Sequence, residues 1–125
     1  MNDLNYKLAL FSLAFVWIAT AIISVFISPE IGFAILAKVN IVGTQADVFV
    51  YGGSLLDLLL GVWILSQKAI KLCCWVQAIT ILSYTLLLTL IDASFWVHPF
   101  GPLTKNIPIL VLIMLLYKQA GKKLI

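Results

Sequence analysis

An aspartate set among leucines is the residue in this chain with the most chemistry to explain. Asp57 stands in Leu55-Leu56-Asp57-Leu58-Leu59-Leu60, about eleven residues into an apolar run. An acid near mid-membrane costs about 2.5–3.5 kcal/mol on insertion scales, so it must face other helices and find compensation there. At ~100° per residue, Gly53, Asp57 and Gly61 share a face within an arc of about 80°, and the glycines open that face to close helix approach. Two readings stand: an acid that handles protons or binds a ligand, or a buried acid that fixes helix register. Lys105 is its natural partner. The final apolar run, Ile107–Leu116, is too short to cross ~30 Å alone. It must recruit Leu103-Thr104-Lys105-Asn106, which draws the lysine toward the hydrocarbon boundary. Pro108 suits the first turn of that helix. Tyr51, Gln77, Tyr84, Glu30, His98 and Asn106 complete the candidate polar cluster or ligand-binding set.

Other chemistry is sparse. His98 is the single histidine, which excludes a multi-histidine metal site within the chain, and its setting in Trp96-Val97-His98-Pro99-Phe100-Gly101-Pro102 suits a structured cap. Cys73 and Cys74 are adjacent rather than spaced as C-x-x-C, and zinc would need more ligands. They read as small apolar residues. Gly52-Gly53 lacks the rest of either nucleotide-binding fingerprint. No credible serine–histidine–acid triad is placed, and no cofactor or metal is expected from these residues.

The elements that must position Asp57 follow from composition. Of 125 residues, 63% are apolar and 10% charged, against roughly 45–50% and 25% in soluble domains. That leaves too few polar residues to cover a water-facing surface. The net charge of +3 comes from eight lysines and five acids. The lysines lie at the edges of apolar runs, where they set membrane orientation rather than bind nucleic acid, for which a clustered basic face with base-reading residues is missing.

Four spans are predicted, at approximately 8–27, 46–66, 72–91 and 103–120. The fold class is therefore all-α, one integral membrane four-helix bundle over residues 1–125. The first run is longer than a signal peptide's apolar core and has no small-x-small cleavage site after it, so it reads as a retained helix that stops at Pro29. Residues 30–42 form a short amphipathic segment suited to the interface. Trp17, Trp63, Trp75 and Trp96 fall where an aromatic belt would have them. Trp17, Thr20 and Ser24 recur at helical spacing, as do Gln77, Thr80 and Tyr84; in lipid such stripes prefer the interior, where they bond across helices and with Asp57 and Tyr51 would line one polar cavity. Lys7, Lys68, Lys71, Lys118, Lys122 and Lys123 gather on one side against Lys38 and Lys105 on the other. Both termini are thus expected in the cytoplasm, with two structured loops facing outward.

The run Tyr51-Gly52-Gly53-Ser54-Leu55-Leu56-Asp57-Leu58-Leu59-Leu60-Gly61 resembles the DoxX-like membrane family. So does His98-Pro99-Phe100-Gly101-Pro102-Leu103-Thr104-Lys105-Asn106-Ile107-Pro108-Ile109-Leu110, and so does the first span with its Pro29-Glu30 ending. The likeness covers about Phe15 to Tyr117. It implies a four-helix membrane fold and a redox association, since the family takes its name from a thiosulfate:quinone oxidoreductase subunit. It assigns no catalytic residue; Glu30, Asp57, His98, Lys105 and Asn106 match the family's pattern as site candidates. Relatives of this branch are also fused behind short-chain dehydrogenase-like domains, so nucleotide chemistry here would need a separate partner. The expectation is an accessory or anchoring subunit of redox enzymes in a bacterial inner membrane, without a catalytic centre of its own. It would bind a quinone or a similar apolar molecule between helices, with a redox enzyme or a second copy as partner. The alternatives are a membrane scaffold or oligomerisation module, and a small transporter with Asp57 as coupling acid.

Overall fold

The computed structural model describes residues 2–97 and 103–123, and all the regular structure among them is helical. Helix α1 (Asp3–Ile22) starts where the Asn2 side chain accepts the Asn5 N–H at 2.7 Å, with Asp3 favourably placed in the first turn. It continues into a π-helical turn, Ile23–Ile27, closed by the Ser28 N–H on the Ile23 carbonyl at 2.8 Å. Pro29 has no N–H to carry the ladder further. It opens α2 (Pro29–Ala37) instead, at a position where that missing donor is harmless.

Asn40 and Gly43, both with positive φ, turn the chain into α3 (Thr44–Ser66). Gln67 closes α3 in the left-handed region, and α4 (Ile70–Ile91) follows after three residues. That short connection makes α3 and α4 an antiparallel hairpin. Trp63 fastens it by donating its indole N–H to the Lys68 carbonyl at 2.8 Å. A 3₁₀ turn (Ala93–Val97) follows, and α5 (Asn106–Lys123) ends the described chain.

Four of the helices overlap the apolar runs read as spans, with boundary shifts of up to about five residues. The first is longer than expected: α1 and its π turn together make 25 residues, with 23 in α3 and 22 in α4, and these three are long and apolar enough to cross a membrane. The last helix is different. Its apolar part, Asn106–Ala120, is shorter. Leu103–Lys105 does extend it, but as a hydrogen-bonded turn, with Asn106 N–H on Leu103 O at 3.0 Å and Ile109 N–H on Lys105 O at 3.3 Å. Leu103 is fully buried and anchors that turn.

Packing runs α1 against α3, α4 against α5, α1 against α5, and α3 against α4. The core is Leu10, Leu13, Leu60, Ile64, Ile113 and Leu116 with their neighbours, while Phe15, Phe26, Leu59, Leu86 and Leu90 point outward. Apolar residues outside as well as inside suit helices bathed in lipid. The segment after the first span is a helix with only Leu36 buried.

Of the two readings of Trp17, the interior stripe holds and the belt is corrected: the residue is buried in the core, where its indole reaches Gln77 on α4. Position near a span end does not decide this, because helix rotation chooses between lipid and interior.

Candidate functional site

Asp57 is 5% exposed and Ser54, one turn before it on α3, is 6% exposed. The Asp57 Oδ1 and Ser54 Oγ atoms are both buried without a hydrogen-bond partner. Buried polar atoms are nearly always bonded, and each orphan costs about 1–3 kcal/mol. Two adjacent orphans on one helical turn therefore mark a place that lacks a hydrogen-bonding companion.

The glycines on this face do what their spacing predicts. A Cβ at Gly61 would come within 2.5 Å of Ile18 Cγ1 and 3.3 Å of the Ala14 carbonyl, so α1 lies directly on α3 one turn beyond Asp57. A Cβ at Gly53 would meet the Tyr84 hydroxyl at 3.3 Å, which puts the tip of this half-buried α4 tyrosine one turn to the other side. Asp57 also lies within electrostatic reach of Tyr84.

Lys105 acts on Asp57 through space, but its side chain is exposed and makes no ion pair with the acid. Asn106 donates to Thr85 Oγ1 at 2.8 Å, tying the start of α5 to α4 one residue after Tyr84. The inner cluster is thus Asp57, Ser54 and Tyr84, with Lys105 and Asn106 above it.

The remaining candidates lie elsewhere. Gln77 is fully buried, but it accepts the Trp17 indole N–H at 2.8 Å and donates to Cys73 Sγ at 3.4 Å. Seven residues before Tyr84, it is about 10 Å further along the helix. Tyr51 is 48% exposed and packs edge-on against Phe33 of α2, ring centroids 6.2 Å apart. Glu30 is exposed at the start of α2. His98 lies outside the described residues.

Two features escaped the sequence. Ser54 stands at the i−3 position of Asp57, and that spacing could have flagged it. Lys38 and Asp92 form an ion pair at 2.9 Å that joins the α2–α3 connection to the end of α4. Lys38 also lies over the Phe95 ring, 5.2 Å from its centroid. Nothing local in the sequence brings together two residues 54 positions apart.

Long apolar helices around a buried, unsatisfied acid define a helical membrane protein with a polar interior. The profile of the DoxX-like family matches residues 14–114. The chain belongs to the DoxX-like family and is a multi-pass membrane protein. No curated protein and no solved structure matches it.

Proposed function

We propose that this protein is a four-helix inner-membrane subunit that anchors or assists a redox enzyme and binds a quinol or quinone headgroup beside Asp57. The observation that carries the reading is the pair of buried, unpartnered oxygens, Asp57 Oδ1 and Ser54 Oγ. A quinol presents hydroxyl donors on an apolar ring, so it can satisfy a carboxylate and a serine hydroxyl while leaving the surrounding leucines undisturbed. The Tyr84 hydroxyl at Gly53 supplies a further polar contact at the rim. Such a ligand enters from lipid. The redox association of the family supports the assignment, with electrons supplied by a partner enzyme. Both termini face the cytoplasm in this arrangement, so reporter fusions at residue 125 and at Ala93–Ser94 give opposite signals.

The test is binding of decylubiquinol to the purified full-length chain in detergent, followed by thermal shift and tryptophan quenching. Wild type is expected to bind. Ser54→Ala and Asp57→Asn are expected to weaken binding by roughly fivefold or more each, as loss of one hydrogen bond to the ligand implies. Equal binding by wild type and Asp57→Asn would remove Asp57 from the site.

A further inference from the structure

A second feature lies away from Asp57, on the outer side of the α4–α5 pair. A groove of about 170 Å³, open along one side, runs between these helices. Cys74 and Ile113 form its buried floor, and Trp75, Ala78, Met114 and Tyr117 its walls. The lining is almost wholly apolar, so its lower part offers an apolar chain a bed and offers a polar headgroup nothing.

The end of the groove has a different chemistry. Trp75 meets Tyr117 edge-on, with ring centroids 6.1 Å apart and planes at 84°. Lys71 Nζ lies 5.4 Å from the centre of the same Tyr117 ring. Lys71 is one turn before Cys74 and Trp75 on their face of α4. Lys118 is one turn after Met114 on α5. Because Trp75 faces Tyr117, the helices run antiparallel and both lysines come to the same end. Both are exposed, and neither is ion-paired among the described residues.

We infer that the α4–α5 groove binds an acidic phospholipid, one acyl chain lying over Cys74 and Ile113 and the phosphate held by Lys71 and Lys118 between the Trp75–Tyr117 pair and water. Charge complementarity selects this occupant. Aromatic side chains and lysines at the end of an apolar cleft match the depth at which a phospholipid passes from chain to headgroup. A quinone carries no charge for the two lysines. A second copy of the chain seated side by side would bring its own lysines to the same level and meet like charge.

The test uses native mass spectrometry of the full-length protein released from detergent with equimolar dioleoyl phosphatidylglycerol and dioleoyl phosphatidylcholine. Wild type is expected to retain phosphatidylglycerol preferentially. The Lys71→Gln/Lys118→Gln double variant is expected to bind it roughly thirtyfold more weakly, the combined effect of two lysines near a headgroup. The Lys71→Arg/Lys118→Arg variant keeps the preference, which separates loss of charge from loss of fold. Ala78→Leu, which fills the groove, lowers retention of both lipids with the lysines intact. Equal retention of the two lipids by wild type overturns the inference, as does an undiminished preference in the glutamine variant. A dimer that Ala78→Leu dissociates, without any lipid preference, also overturns it by giving the groove to a second copy.

Discussion

The indole of Trp17 on α1 and the side-chain amide of Gln77 on α4 meet at 2.8 Å in a part of the interior that neither water nor lipid reaches. Each satisfies a group that would be expensive to leave alone. Gln77 spends its own N–H on Cys73 Sγ, one turn back on the same helix. The bond ties α1 to α4 across the core, and it explains why a tryptophan is buried here instead of lying at the membrane surface.

The pair should therefore be coupled. Trp17→Phe strands the amide oxygen and Gln77→Leu strands the indole N–H, each at about 1 kcal/mol or more. The double variant removes both groups, so its loss of stability should fall short of the sum. Interhelical bonds in membranes average about 0.6 kcal/mol, which sets the expected coupling. Unfolding in mixed micelles measures all three variants, and strictly additive losses would mean that the bond contributes nothing.

Two glycines of α3 should respond oppositely to the same change. Gly61→Ala drives a methyl group into Ile18 and against the Ala14 carbonyl. Overpacking of this kind costs about 1–3 kcal/mol. Gly52 has nothing within 4 Å of a would-be Cβ, so Gly52→Ala should be neutral or stabilising by up to about 1 kcal/mol through helix propensity. Comparing the two melting temperatures cancels the common propensity gain and isolates the α1–α3 contact.

This contrast also marks how far the sequence could be read. The 3.6-residue period put Gly53, Asp57 and Gly61 on one face, and apolar run lengths located the long helices to within about five residues. Both signals are local. The partner chosen by each polar residue is a tertiary matter: Gln77 faces Trp17, while Tyr84, two turns on, faces Gly53. The same limit hid the Lys38–Asp92 pair, and hydropathy, which does not register helix rotation, left Trp17 open between the belt and the interior.

The Lys38–Asp92 tie should persist well into acid. The Ser94 hydroxyl, then the Lys38 ammonium and the Ser94 backbone N–H, hold the Asp92 carboxyl down to about 2, from an ordinary 3.8. A carboxyl with a depressed folded-state pKa contributes stability above its unfolded value, and that contribution is lost as pH falls through the folded value. The Lys38–Asp92 contact is thus expected intact at pH 5 and released near pH 2. Carboxyl-carbon NMR of Asp-labelled protein can follow this titration. Ser94→Ala should raise the midpoint more than Lys38→Gln does; the reverse order would assign the depression to the lysine.

Asp57 poses the opposite problem, because its carboxylate oxygen is buried without any partner. Removing a buried, uncompensated charge relieves a desolvation penalty, and a neutral isostere is then the more stable choice. Asp57→Asn is accordingly expected to raise thermal stability in ligand-free detergent, by about 1–2 kcal/mol, within the range typical of single stabilising changes. Lys105 is exposed and acts on the acid only through space, so Lys105→Met should change stability little, within about 1 kcal/mol. In the Asp57→Asn/Lys105→Met double variant neither charge remains, and the gain from Asp57→Asn should survive almost whole. With decylubiquinol present that advantage should shrink by about 1 kcal/mol or more, because wild type gains more stability from bound ligand by mass action than the more weakly binding Asp57→Asn does. A fall in stability on Asp57→Asn without ligand would instead show that the carboxylate is compensated within the protein, and would return Asp57 to a purely structural role.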